Sequence, residues 1–189
     1  MSETRAKRWV IVLDPRKCID CKACDVACKR ENGIDAKGHR DVYRNWVASR
    51  GIEGNYPNLK QVFVPSQCQH CSNAPCQSVC PTRATYTTAE GIVKVDVRRC
   101  ILCKYCMAAC PYDARFERAA LHAVDKCSLC DHRVGKGLLP ACVETCPAKV
   151  RVFGDGNDPH SDASRLLAGN SYRVQKQEKG TRPNLFYLG

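Results

Sequence analysis

Sixteen cysteines that fall without remainder into four groups of four constrain this chain more than any other feature. Group one is Cys18, Cys21, Cys24 and Cys28. Group two is Cys68, Cys71, Cys76 and Cys80. Group three is Cys100, Cys103, Cys106 and Cys110. Group four is Cys127, Cys130, Cys142 and Cys146. Residues 100–114, CILCKYCMAACPYDA, show the pattern at its densest, with gaps of two, two and three and a proline after the last thiol. Every group ends in C-x3-C, and groups two, three and four are followed by Pro81, Pro111 and Pro147.

Sixteen cysteines in 189 residues approach the density of a disulfide scaffold. Disulfides need an oxidising compartment and usually a secretory signal. The stretch MSETRAKRWVIVLDPRKC has no apolar h-region with a small-residue cleavage site, and its Arg5 and Arg8 are not the adjacent pair of a twin-arginine signal. No run approaches the ~20 apolar residues of a membrane span. The expectation is a chain soluble by itself, with no export address of its own.

The run C-x2-C-x2-C-x3-C-P is the bacterial iron–sulfur spacing, in which the fourth cysteine ligates the other cluster of a pair. Three thiolates on a tight loop reach three irons of one cubane, because each residue adds only a few ångströms of reach. The fourth, about one helical turn beyond the third, faces a neighbouring cluster. Proline then ends the turn. A structural zinc site needs only paired C-x2-C modules. Group four most resembles one when read alone, but its C-x3-C-P ending matches the other groups. Groups two and three are adjacent and pair with each other, which leaves groups one and four to pair across the chain.

The expectation is therefore four [4Fe–4S] clusters bound through iron, without zinc. Cys18, Cys21, Cys24 and Cys146 hold cluster 1. Cys28, Cys127, Cys130 and Cys142 hold cluster 2. Cys68, Cys71, Cys76 and Cys110 hold cluster 3. Cys80, Cys100, Cys103 and Cys106 hold cluster 4.

The net charge of +11 suggests nucleic acid or an anionic membrane at first sight. Four oxidised cubanes of about −2 each offset most of it, so the lysine and arginine excess reads better as counter-charge. There is no zinc-knuckle or RNA-recognition signature and no constellation for acid–base or nucleophilic catalysis. Catalytic residues are expected to be none. His70, between Cys68 and Cys71, is in reach of a cluster sulfur but reads better as structural filler. His39, His122, His132 and His160 have no ligand-like spacing.

Strands are expected at WVIVLD (9–14), LKQVFVP (59–65) and HAVDKC (122–127), a helix at ACDVACKRE (23–31), and a hairpin around Glu90–Gly91 in TYTTAEGIVKVDV (85–97). FGDGNDPHSDAS (153–164) reads as a loop and SRLLAG as one or two helical turns. The fold class is α+β, with two nested bacterial-type two-cluster ferredoxin-like modules. Residues 1–31 and 119–150 make the first module and 59–118 the second. Residues 32–58 form an insertion, either ordered over the clusters or against a partner, or a plain surface loop. Residues 151–189 form a C-terminal interface tail.

The whole pattern, including CQHCSNAPCQSVCPT, KCSLCDHRVGKGLLPACVETCP and the GTRP-LFYL ending, resembles the four-cluster ferredoxin-like subunits of membrane-bound molybdopterin oxidoreductases (the DMSO reductase family), nearest the polysulfide reductase type. The resemblance implies a non-catalytic electron-transfer subunit between a molybdopterin-containing catalytic subunit and an integral membrane quinone-binding anchor subunit. It also implies co-export to the exoplasmic side where the catalytic partner carries a twin-arginine signal, and the cytoplasmic side otherwise. Relatives serve thiosulfate, tetrathionate, arsenate and dimethyl sulfoxide reductases, so the substrate stays open. An electron-transfer subunit of a hydrogenase, a formate dehydrogenase or an alternative quinone reductase is the other reading. The resemblance further implies that cluster 1 faces the molybdenum subunit and that cluster 4 or its pair-mate faces the quinone site; Lys104 and Tyr105, inside the loop of group three, are either contacts with the anchor or simply solvated.

Overall fold

WVIVL forms β1 (Trp9–Leu13), and its last four residues are buried on both faces. Side chains alternate along a strand. Val10 and Val12 pack with Ala163 and Leu188 on one side, while Ile11 and Leu13 join the cysteine-rich core on the other. The structure, a computed structural model, describes residues 6–34 and 42–189. Residues 35–41 of the expected insertion, with His39, lie outside the described residues.

Helix α1 (Ala23–Glu31) follows the first cysteine loop and coincides with the expected helix. Strand β2 (Asn45–Glu53) pairs antiparallel with β3 (Lys60–Gln67), from Asn45↔Gln67 out to Glu53↔Lys60, with a register shift between Ser49 and Ile52. The base of this hairpin is buried, whereas Ile52, Tyr56 and Leu59 near its tip are exposed. The region expected as an insertion over 32–58 is thus a strand in its second half, and the plain-loop alternative does not hold there.

After α2 (Pro75–Ser78), β4 (Thr85–Thr87) and β5 (Val93–Val95) make the expected hairpin, and Gly91 in the connection takes φ +80°, which a side chain would strain. Helix α3 (Tyr105–Ala108) leads to a third hairpin of β6 (Phe116–Arg118) and β7 (Ala123–Asp125). Two one-turn helices, α4 (Asp131–Val134) and α5 (Ala141–Glu144), lie within the last cysteine group, with Cys130 just before α4 and Cys142 inside α5.

The remaining elements are β8 (Arg151–Asp155), α6 (Asp162–Gly169), β9 (Tyr172–Arg173) and β10 (Leu185–Leu188). The four-stranded sheet has the order β8-β1-β10-β9, with β1 parallel to β10 and antiparallel to β8. Residues 153–164, expected as a loop, begin inside β8 and end inside α6. Ser161 caps that helix by accepting the Ser164 N–H at 3.1 Å. Residues 151–189 pack on the rest of the chain and supply three strands of the main sheet. Tyr187 is 1% exposed, and its hydroxyl donates to the Pro65 carbonyl at 3.0 Å.

Candidate metal centres

Each cysteine group folds the same way locally. The third cysteine is the second residue of a helix: Cys24 in α1, Cys76 in α2, Cys106 in α3 and Cys142 in α5. A helix start presents free N–H groups, which favour a thiolate. The fourth cysteine lies four residues on, about one turn away. Each of these helices therefore carries thiols to two different places.

Four enclosed spaces show where. One is ringed by Cys18, Cys21, Cys24 and Cys146. A second is ringed by Cys28, Cys127, Cys130 and Cys142. A third has Cys68, Cys71, Cys76 and Cys110, and the fourth has Cys80, Cys100, Cys103 and Cys106. We number them cages 1 to 4 in that order. Each presents four thiols, a soft donor set, and the passing of one group's fourth thiol into the neighbouring cage is the arrangement of paired iron–sulfur clusters rather than of a single zinc.

Helices α1 and α5 pack together and span cages 1 and 2, and α2 and α3 pack together and span cages 3 and 4. Cages 2 and 3 meet through the core, where Cys68 and Cys127 share one cluster of buried side chains and Gln67 Nε2 lies 3.7 Å from Cys127 Sγ. The cages thus follow one another in the order 1, 2, 3, 4. Cys21 of cage 1 and Cys103 of cage 4 are exposed, whereas all four thiols of cage 2 are buried and cage 3 has only Cys110 half-buried.

The loops between thiols hold unusual backbone. Asp20, Lys22, Leu102, Lys104 and Leu129 all take φ between +54° and +63°. Arg83, Asp113 and Lys149, each three residues past a C-P cysteine, take φ of +50° to +52°. None is glycine, so each costs about 1 kcal/mol or more. Alternating right- and left-handed residues turn successive N–H groups inward and make a nest for an anion. The thiols already receive such bonds. Thr85 N–H lies 3.5 Å from Cys80 Sγ, Leu129 N–H 3.4 Å from Cys127 Sγ, and Val150 N–H 3.3 Å from Cys146 Sγ. Asn32 Nδ2 reaches both Cys28 Sγ, at 3.6 Å, and Cys130 Sγ, at 3.9 Å.

Burial pushes the free thiols of Cys28 and Cys71 up to about 12 and that of Cys142 to about 11. Thiolates are therefore unfavourable there without a cation, and binding iron releases protons. The interior also contains cations of its own. Arg115, Lys126 and Arg151 are each no more than 6% exposed. Their nearest partners are neutral: Arg115 donates to Thr85 Oγ1 and, at 2.9 Å, to Cys76 Sγ. Lys126 donates to the carbonyls of Val93 and Cys127. Arg151 donates to Gln67 Oε1 at 2.5 Å and reaches Cys24 Sγ at 3.9 Å. Among the described residues no carboxylate forms an ion pair with any of the three. An isolated buried charge costs several kcal/mol, so these cations require buried anions. Anionic clusters in the cages meet that requirement.

All sixteen cysteines singled out from the spacing line a cage. Lys104 lines cage 4 as well, whereas His70 and His132 line none. His70 accepts the Val93 N–H on Nδ1 at 3.2 Å, is absent from the cage linings, and is held well below its usual pKa by burial and by Lys126 and Arg115. His132 is paired with Glu31 at the surface. Sequence reasoning missed the buried cations. A signal for two of them was available: Arg115 and Arg151 each stand five residues past the fourth cysteine, in CPYDAR and CPAKVR. The left-handed residue at the third position turns the chain, and the fifth side chain then points back into the core. In group two the corresponding residue is Thr85, which accepts from Arg115.

Two 4Fe-4S dicluster domain families match the chain, one over residues 59–156 and one over residues 10–81. The chain belongs to the 4Fe–4S dicluster proteins, an iron–sulfur class with an α+β fold of short strands and helices. Several of its relatives are named as reductase subunits. A polysulfide reductase component of Wolinella succinogenes is 41% identical over 97% of this chain and 95% of its own length. A tetrathionate reductase subunit of Salmonella typhimurium is 43% identical over 96% of this chain and 72% of its own. A selenate reductase subunit of Mesobacillus selenatarsenatis is 35% identical over 96% and 72%.

Proposed function

We propose that this chain is the electron-transfer subunit of a molybdopterin reductase of the polysulfide or thiosulfate type. In this reading it holds four [4Fe–4S] clusters in two nested ferredoxin-like modules and carries no catalytic site. The observation that carries the reading is the order of the cages, with an exposed thiol at each end and buried ones between. Each cluster, when bound, takes up and gives away one electron at a time. The chain's part is to fix the spacing through four shared helices, to exclude water from cages 2 and 3, and to supply N–H groups and buried cations to the cluster charge.

The two ends fit two partners. Ile19 stands 66% exposed beside Cys21, and Ile101 stands 64% exposed near Cys103, each an apolar contact next to an open thiol. By likeness to the reductase subunits, cage 1 faces a molybdopterin-containing catalytic subunit, and cage 4 faces a membrane quinone-binding anchor. Tyr105 is exposed beside cage 4, and Lys104 pairs with Glu117 at 2.6 Å there. Among the described residues no helix is long and apolar enough to cross a membrane.

The assembled complex tests this polarity. Replacing Cys103 by serine should abolish quinol-driven reduction while leaving reduction by an artificial dye that feeds the catalytic subunit directly. Simultaneous failure of both activities in an assembled, otherwise loaded complex contradicts the polarity.

A further inference from the structure

The three buried cations are not scattered through the core. Each stands at one junction between consecutive cages. Arg151 lines cage 1 and reaches Cys24 there, while its other nitrogen binds Gln67, whose amide lies against Cys127 of cage 2. Lys126 donates to the Cys127 carbonyl at 2.6 Å, and so to cage 2, and also to the carbonyl of Val93, which lines cage 3. Arg115 lines cage 3 and binds Cys76 there, and its other nitrogen binds Thr85 of the cage 4 wall at 3.2 Å. Its charge also favours the thiolate of Cys106 in cage 4.

We propose that Arg151, Lys126 and Arg115 are junction cations, each setting the reduction potentials of the two clusters it separates, so that neighbouring potentials are raised together. The proposal rests on the four-cluster reading above. Its physical content is simple. An electron arriving on a cluster adds one negative charge. A fixed cation shared by two neighbours stabilises that charge on either side of the hop, so it raises both potentials without favouring one direction. The surroundings strengthen the effect, because a desolvated charge is weakly screened. The geometry also separates this role from packing. All three side chains end on neutral oxygens or on sulfur, and a packing or ion-pair role calls for neither a buried cation nor that placement.

The experiment compares Arg115→Met, Arg115→Lys and the unaltered chain in the purified complex, by redox titration followed by electron paramagnetic resonance. Iron and sulfide are counted in each sample. In Arg115→Met the signals of clusters 3 and 4 should shift to lower potential, by at least a tenfold change in the reduced-to-oxidised ratio at fixed poise, which is about 59 mV for one electron. Clusters 1 and 2 should stay within about threefold of their original ratio, and Arg115→Lys should restore most of the shift. Arg151→Met should move clusters 1 and 2 instead. If Arg115→Met fails to hold its clusters while Arg115→Lys holds them, the charge is again the cause and the proposal stands. Fully loaded Arg115→Met with unchanged potentials overturns it, as does equal loss of clusters in both variants. A low iron count in the unaltered chain indicts the four-cluster reading instead.

Discussion

Cys28→Ser should destroy or convert the cluster held by Cys127, Cys130 and Cys142, far downstream in sequence, and leave the one held by Cys18, Cys21 and Cys24 intact. Cys28 belongs by sequence to group one, but it leaves α1 one turn after Cys24 and lines cage 2. Serine offers a neutral hydroxyl where burial already makes even a thiolate costly, with the Cys28 thiol at about 12 in the absence of metal. The expected outcome is loss of about a quarter of the iron, or a three-iron spectrum in place of one cubane. Loss of the cluster of Cys18, Cys21 and Cys24, with survival of the other, would reverse the cross-ligation.

Chelating the iron should unfold the chain. The main core contains Cys68, Cys71, Cys76, Cys106 and Cys127 among its buried side chains, so part of its interior is thiol rather than hydrocarbon. Emptying the cages leaves four sets of thiols facing one another with nothing to bind them. It also strands Arg115, Lys126 and Arg151 without anions, at several kcal/mol each. A domain of this size has only about 5–15 kcal/mol to lose. The iron-free chain should show no cooperative thermal transition by circular dichroism. Dispersed amide resonances from an iron-free sample would show that the protein core stands by itself.

What could be read from the sequence depended on how local the determinant was. The span of α1 was legible because a helix start and the C-x3-C spacing coincide at Ala23–Glu31. The β4–β5 hairpin was legible from β-branched runs around Gly91. Strand β2 was not, because NWVASRGIE lacks alternation and owes its conformation to pairing with β3. The pairing of the C-terminal strand was hidden for a related reason. The FYL of residues 186–188 shows apolar surface, but not that it lies parallel to β1, from the other end of the chain. In the site, cysteine spacing pointed to the same groupings of thiols that line the four cages, because reach along the chain is a local matter. The junction cations escaped because Arg and Lys ordinarily lie at the surface. Only the folded core shows that Arg151 and Lys126 are 2% exposed.

The most direct test of the central claim is a count of metal and acid-labile sulfide in the anaerobically purified chain, paired with its electron paramagnetic resonance spectrum after reduction. Four cubanes give about sixteen irons and about sixteen sulfides per chain, with interacting cubane signals. Four zincs without sulfide, or about eight irons with half the cysteines free to alkylate in the folded protein, would contradict it.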